Sequence, residues 1–231
     1  MQRDSVWGTS VSAEDDGRDR RLLHFVARHG CVFIEQVGRE LGVGRTAAYR
    51  RVAACVEAGL LERIDLLREE PSLLRATRQG LRYVGLGGLG VAEVSPGGVE
   101  HSLRCAGTAQ RLGERFGHEL VRTERELRFA EQLHDAPLVS AVMGRLPNGK
   151  PRLHRPDLVL LPEQGTIAIE VELTPKAPRR LEAILRAWCR ADWVWQVHYY
   201  CAPGQTRRAV ERAIAKVRAG DKIFAVKALS R

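Results

Sequence analysis

Apolar residues in the first part of the chain recur every three or four positions and then give way to short strand-like runs. Leu22, Leu23, Phe25 and Val26 form one side of a first helix. The predicted elements are helices over residues 19–29, 34–41 and 45–58 and strands over residues 60–64 and 73–76. Because the glycine turn Gly42-Val43-Gly44 joins two of these helices, this part is expected to be a helix-turn-helix with a two-stranded wing.

The pattern after residue 100 alternates between helices and strands. Helical spacing covers residues 101–116, whereas residues 120–127 fit a strand or a helix equally well. A strand at 138–143 and a turn at 147–150 come next. The remaining predicted elements are a hairpin at 158–161 and 166–173, helices at 178–192 and 205–218, a buried strand at 193–201 and a last strand at 223–229. The expected fold class is therefore mixed, α+β or α/β.

The hairpin carries the acidic residues of greatest interest. If Pro162-Glu163-Gln164-Gly165 forms its loop, Leu161 faces Thr166 and Asp157 faces Glu170. Since side chains alternate along a strand, Asp157, Glu170 and Glu172 then share one face. The opposite face is continuously apolar and suited to a core.

Three neighbouring carboxylates repel one another and lose hydration when they are buried. A hard divalent cation with oxygen ligands, Mg²⁺ or Mn²⁺, offsets that cost and can activate water against a phosphodiester. The alternative is that Asp157 and Glu172 are solvated or paired with nearby arginines. The sequence leaves both interpretations open.

Charge points to an anionic partner. The chain has 231 residues, 37 of them Lys or Arg and 28 Asp or Glu, so its net charge is +9. Nucleic acid is the first expectation and a membrane surface the second, because the arginine guanidinium binds phosphate with a planar fork. Arginine-rich composition also accompanies a GC-rich genome, which is the competing explanation.

Other features narrow the class of protein. The five cysteines are widely spaced and lack a CxxC pair, which favours reduced thiols in a cytoplasmic protein. No signal segment or membrane span is evident. The glycine-rich stretch before residue 98 lacks the preceding strand of a dinucleotide site, so no small-molecule cofactor is expected.

The segment LGVGRTAAYRRVAACVEAGLLER, followed by LLRATRQGL, resembles the winged helix-turn-helix family. The resemblance implies that the helix beginning at residue 45 enters the major groove of double-stranded DNA. The residues that it would present are Arg45, Thr46, Tyr49, Arg50 and Arg51. Further candidates for DNA contacts are Arg68 in the wing and Arg179 and Arg180 after the hairpin. A winged helix used for protein docking or dimerisation is the alternative.

Pro156-Asp157 and Glu170-Val171-Glu172 resemble the motif of the restriction-endonuclease-like, or PD-(D/E)xK, superfamily. The resemblance implies a mixed sheet flanked by helices, with Asp157 and Glu170 as metal ligands. Glu172 stands where the family has lysine; some members with this variant remain active, and others keep only the fold. Lys176 is the expected source of the positive charge at the catalytic site.

The chain after residue 18 resembles the replication-relaxation family of plasmids, phages and integrated elements. The matching residues are His101, Thr123 to Arg128, Pro156-Asp157 and Glu170 to Thr174. The expected division is a mobile tail at 1–18, a winged helix at 19–86, a linker at 87–100 and a nuclease-like domain at 101–231.

Two functions follow as hypotheses. The first is a DNA-binding protein of a mobile element that cuts or nicks DNA with Mg²⁺ or Mn²⁺. The second is a non-catalytic regulator of transcription or replication whose degenerate nuclease-like domain mediates dimerisation or partner docking. A third, weaker hypothesis is a transposase-like or recombinase partner subunit. Homodimerisation fits the paired half-sites that many winged-helix proteins read.

Overall fold

The computed structural model describes residues 17–66 and 71–227, which form a mixed α+β fold. The chain divides into two compact units, Met1–Gln110 and Arg111–Arg231. Residues 1–16 of the tail predicted at 1–18 and the candidate Arg68 lie outside the described residues, whereas Arg18 is the first residue of a helix. No helix in the described ranges combines the length and the apolar character needed to cross a bilayer.

The first unit follows the order of elements that the hydrophobic pattern predicts. Its elements are α1 (Arg18–His29), α2 (Ile34–Leu41), α3 (Arg45–Glu57), β1 (Leu61–Ile64), β2 (Leu73–Ala76) and α4 (Arg78–Tyr83). Gly42 ends α2 at φ 63°, a left-handed conformation that glycine adopts without strain. β1 and β2 pair antiparallel, with Leu61 opposite Ala76. Val32 adds a short bridge to Leu74 of β2.

The core of the first unit explains why these helices pack together. Leu22, Leu23 and Val26 of α1 are completely buried, as is Val52 of α3. Cys55 is also buried in this core, and its position one turn after Val52 places both on the inner side of α3. The exposed side of α3 is therefore the side that carries Arg45 and Arg50.

The stretch at 87–100 differs from the linker that the sequence predicts. It contains a short 3₁₀ helix, Gly87–Leu89, and the start of α5 (Pro96–Phe116). Val99 of α5 is buried against Cys31 and Leu73. The boundary between the two units consequently lies within α5, after Gln110, and not in the glycine-rich stretch.

The second unit is built on one central sheet. The elements after α5 are β3 (Val121–Thr123), α6 (Glu124–His134), β4 (Ala141–Arg145), β5 (Pro151–His154), β6 (Leu158–Leu160), β7 (Ile167–Glu172), α7 (Pro178–Cys189), β8 (Gln196–Cys201), α8 (Gln205–Val217) and β9 (Ile223–Lys227). The five-stranded sheet has the order β3-β6-β7-β8-β9, and β4 pairs with β5 in a separate hairpin. β3, β6 and β7 are antiparallel, whereas α7 and α8 connect β7, β8 and β9 as parallel strands.

The structure resolves the ambiguity at 120–127 as a strand followed by a helix. Thr123 ends β3 and begins α6 through a capping box with Glu126. The Glu126 carboxylate accepts the Thr123 N–H at 2.8 Å, and the Thr123 hydroxyl accepts the Glu126 N–H at 3.3 Å. These bonds satisfy N–H groups that the first turn of a helix leaves unpaired.

The predicted register of the acidic hairpin is confirmed. Leu158 faces Ile169 and Leu160 faces Ile167, which is the same register that places Asp157 opposite Glu170. All six residues of β7 are buried, so both faces of this strand are covered.

The buried strand predicted over residues 193–201 is wrong at its beginning. Trp193 and Trp195 are 45% and 47% exposed, and β8 begins only at Gln196. The two tryptophans belong to the turn that follows α7, which lies ahead of the paired part of the strand.

Candidate functional site

Three acidic residues and one tyrosine occupy one face of the central sheet. Asp157 immediately precedes β6, and Glu170 and Glu172 lie two positions apart on β7. Tyr199 of β8 is the parallel partner of Glu170. Because paired strand residues point to the same side, Tyr199 shares the face of the carboxylates.

Glu170 is buried and firmly held. Its Oε1 atom lies 2.8 Å from Nε2 of His154 and accepts a hydrogen bond from Nε1 of Trp188 at 3.2 Å. The His154 and Trp188 rings also make an edge contact at 5.8 Å between centroids. Glu170 is only 4% exposed, and this burial raises the pKa of its carboxyl despite the nearby His154.

The contact with Glu170 also changes the pKa of His154. Burial opposes its protonated form, but the charge and the hydrogen bond of Glu170 outweigh that effect, so the pKa of His154 is raised. The protein thus places a basic ring directly against the most buried acid of the site.

The other two acids have different partners. Asp157 accepts the backbone N–H of Val171 through Oδ2 at 2.6 Å, which ties the start of β6 to β7. Glu172 is 5% exposed and forms an ion pair with Lys176. The alternative of solvation or pairing with arginines, which concerned Asp157 and Glu172, therefore does not describe Glu172, because its partner is a lysine.

Tyr199 is a residue of this face that the sequence did not identify. It is 1% exposed, and within the described chain its hydroxyl lacks a hydrogen-bond partner. Burial and the charges of Glu170, Glu172 and Asp157 raise its pKa well above the usual value. His154 and Trp188 were also missed, because only the crossover through α7 and the β5 hairpin bring them to Glu170.

The donor atoms of this face fit a hard divalent cation, which prefers carboxylate and hydroxyl oxygens. In the part of the chain described, however, Asp157, Glu170 and Glu172 do not bring one oxygen each within 4.8 Å of one another. Glu172 turns toward Lys176, and Glu170 is bound on one oxygen by His154 and Trp188. Of the two acids on β7, Glu172 would have to leave Lys176 before it could join a cation site.

The residues predicted to contact DNA from α3 fall into two groups. Arg45, Thr46 and Arg50 are exposed, whereas Tyr49 and Arg51 are half-buried. The Arg45 guanidinium stacks over the Tyr49 ring at 5.5 Å. Arg51 forms an ion pair with Asp19 of α1 at 2.7 Å, so part of its hydrogen-bonding capacity is used within the protein.

Arg179 and Arg180 lie exposed in the first turn of α7, close in sequence to Lys176. The first turn of α7 contains no acidic residue. Positive side chains at this end are unfavourable with the helix dipole, and both they and the dipole attract an anion. This end of α7 is therefore suited to bind a phosphate group.

Comparisons with known proteins do not assign this chain to a family. No family model matches the chain, and no curated protein matches it. One of the matching solved structures is an O-methyltransferase family protein from Burkholderia thailandensis, 14% identical, with a TM-score of 0.21. The alignment covers 96% of this chain and 65% of that one, so the chain spans less than two thirds of its length. A score this low assigns neither a shared fold nor a shared activity.

Proposed function

We propose that this protein binds double-stranded DNA and hydrolyses its phosphodiester bonds with the help of a divalent cation, as part of the DNA handling of a mobile element. The observation that carries the proposal is that Asp157, Glu170 and Glu172 lie on the same face of the sheet. The exposed Arg179 and Arg180 in the first turn of α7 add a group of positive charges suited to phosphate.

The connectivity of the second unit supports this function. Across the sheet, β3, β6 and β7 are antiparallel neighbours. Helix α7 then crosses over to β8, which is parallel to β7. This order resembles the core of the restriction-endonuclease-like superfamily, with the acids at the positions of its motif. The first unit, with two helices joined by a glycine turn and followed by a hairpin, resembles a winged helix-turn-helix.

The acidic and basic residues of the second unit would have separate roles in binding the cation and the DNA. Asp157 and Glu170 would hold Mg²⁺ or Mn²⁺, with Glu172 as a third acid. The bound ion supplies activation of water and stabilisation of the charge on the phosphate. His154 and Trp188 fix Glu170, Arg179 and Arg180 hold the DNA phosphates, and Lys176 would stabilise charge at the site when it leaves Glu172.

One observation favours the non-catalytic regulator as a second candidate. Glu172 stands where the superfamily has lysine, and Lys176 is paired with Glu172. A lysine neutralised in this way does not stabilise a phosphate. In that case the second unit serves for dimerisation or partner docking, while the winged helix still binds DNA.

The test of cleavage uses supercoiled plasmid with Mg²⁺ or Mn²⁺. Wild type is expected to nick or linearise the plasmid, and Asp157→Asn and Glu170→Gln are expected to abolish cleavage. Glu163→Gln, in the exposed hairpin turn, is the matched control and should cleave as wild type does. Intact DNA binding without cleavage by the wild type under either metal would establish the regulator instead.

The test of DNA binding uses Arg50→Ala, because Arg50 is exposed on α3 and its loss leaves the Arg51–Asp19 pair intact. Loss of one phosphate contact should reduce the slope of log K against log salt by about 0.9. Arg212→Ala, exposed on α8, is the control for the loss of one positive charge elsewhere. Equal slopes for both variants and the wild type would remove α3 from the DNA interface.

A further inference from the structure

The Tyr199 hydroxyl is a buried polar group without a partner. The residue is 1% exposed, and no hydrogen bond to its Oη atom occurs in the described chain. Burying a hydroxyl that makes no hydrogen bond costs free energy, because the bonds it made to water are lost. A bound water molecule or ion is one recognised explanation for such a group.

The surroundings of this hydroxyl indicate what that partner is. Glu170 is the direct strand neighbour of Tyr199, and the charges of Glu170, Glu172 and Asp157 all act on it. Carboxylates gathered around a site repel an anion and attract a cation. Burial first, and then these charges, raise the pKa of Tyr199, so the phenol keeps its proton.

The contacts of Glu170 with His154 and Trp188 involve only one of its two carboxylate oxygens. His154 and Trp188 both contact Oε1, so neither of these contacts uses Oε2. Both partners are held in turn: Trp188 is completely buried, and its ring packs against that of His154. A carboxylate fixed in this way has lost its side-chain freedom before any ligand arrives.

We propose that Tyr199 is a further residue of the carboxylate site and that its hydroxyl contacts a water molecule of a hydrated divalent cation held by Asp157 and Glu170. His154 and Trp188 act as positioning residues for Glu170. Water bound to a cation is a strong hydrogen-bond donor, so Tyr199 Oη accepts from it. This inference rests on the cation binding of the proposed function.

The experiment measures Mn²⁺ binding to the full chain by calorimetry, in the absence of DNA. Tyr199→Phe removes the hydroxyl and keeps the ring. Tyr200→Phe is the matched control, because Tyr200 is the next residue of β8, is also buried and points to the opposite face. Tyr199→Phe is expected to weaken Mn²⁺ binding about 10-fold, as the loss of an outer-sphere partner does, and Tyr200→Phe is expected to leave it unchanged.

A second measurement separates a ligand role from a structural one. Without metal, Tyr199→Phe should melt at the same temperature as the wild type or higher, since it removes an unsatisfied hydroxyl. The rise in melting temperature on adding Mn²⁺ should be smaller than in the wild type. A metal-free variant that melts well below the wild type would give the hydroxyl a structural role and overturn the proposal.

The two measurements also distinguish a failure of the proposed role of Tyr199 from a failure of the proposed cation binding. If Tyr199→Phe binds Mn²⁺ as the wild type does while Asp157→Asn does not, the cation site stands and the role of Tyr199 is refuted. If the wild type itself binds no Mn²⁺, both fall together.

Discussion

Glu131 offers a direct test of how the segment that carries the site is anchored. Its side chain on α6 is 2% exposed and uses both oxygens. Oε1 accepts the backbone N–H groups of Leu138 at 3.1 Å and Ser140 at 3.3 Å. Oε2 accepts Nε of Arg155 at 2.8 Å. Arg155 directly follows His154 and lies two positions before Asp157. This ion pair therefore fixes the segment of the chain that carries both residues.

The expected cost of Glu131→Gln follows from the burial of the pair. The substitution keeps an acceptor for the two N–H groups but turns an amide against Arg155 and removes the negative charge. Breaking a buried ion pair costs about 3–5 kcal/mol. The Arg155 side chain is 26% exposed and regains some hydration, so we expect a loss of about 3 kcal/mol in the free energy of unfolding. Glu131→Ala should cost more, since two buried N–H groups also lose their acceptor.

The assay is urea unfolding followed by tryptophan fluorescence. Three of the chain's four tryptophans lie in the second unit, so the signal reports mainly on that unit. Glu124→Gln is the control, because the Glu124–Arg128 pair on the same helix is 39% and 56% exposed. An exposed pair of this kind contributes about 0–1 kcal/mol. If Glu131→Gln unfolds no more easily than Glu124→Gln, the argument from burial is refuted.

Two further predictions concern packing and thiol chemistry. A Cβ atom on Gly80 would lie 2.1 Å from the Leu60 carbonyl oxygen, so Gly80→Ala should destabilise the first unit by about 3 kcal/mol in thermal unfolding. At Gly97 a Cβ meets nothing within 4 Å, and Gly97→Ala in α5 should stabilise by about 0.5–1 kcal/mol; equal effects at the two sites would contradict the packing. Burial raises the pKa of Cys201 to about 12 and that of Cys55 to about 11, whereas Cys189 is exposed. Iodoacetamide at pH 8 should therefore alkylate Cys189 well before the two buried thiols, as peptide mass spectrometry would reveal; rapid labelling of Cys201 would contradict its burial.

The parts of the fold that the sequence predicted are those decided by neighbouring residues. α2 has the bounds expected from its apolar spacing and from Gly42 at its end. The register of the acidic hairpin was also predicted, because a turn of known length fixes which residues face each other. The stretch 87–100 was not predicted, because its glycines indicate flexibility, whereas contacts with residues distant in the sequence order it. One example is the packing of Val99 against Cys31 and Leu73.

The sequence by itself determined that Asp157, Glu170 and Glu172 share a face, since alternation along a strand and a short turn are local properties. It left open what surrounds them. Trp188 reaches Glu170 from the crossover helix, and Tyr199 lies beside Glu170 through a parallel pairing. Parallel strands are paired by the packing of the helix between them, and local periodicity does not encode that register. The tertiary structure alone therefore decided that the acids meet an indole, an imidazole and a buried hydroxyl.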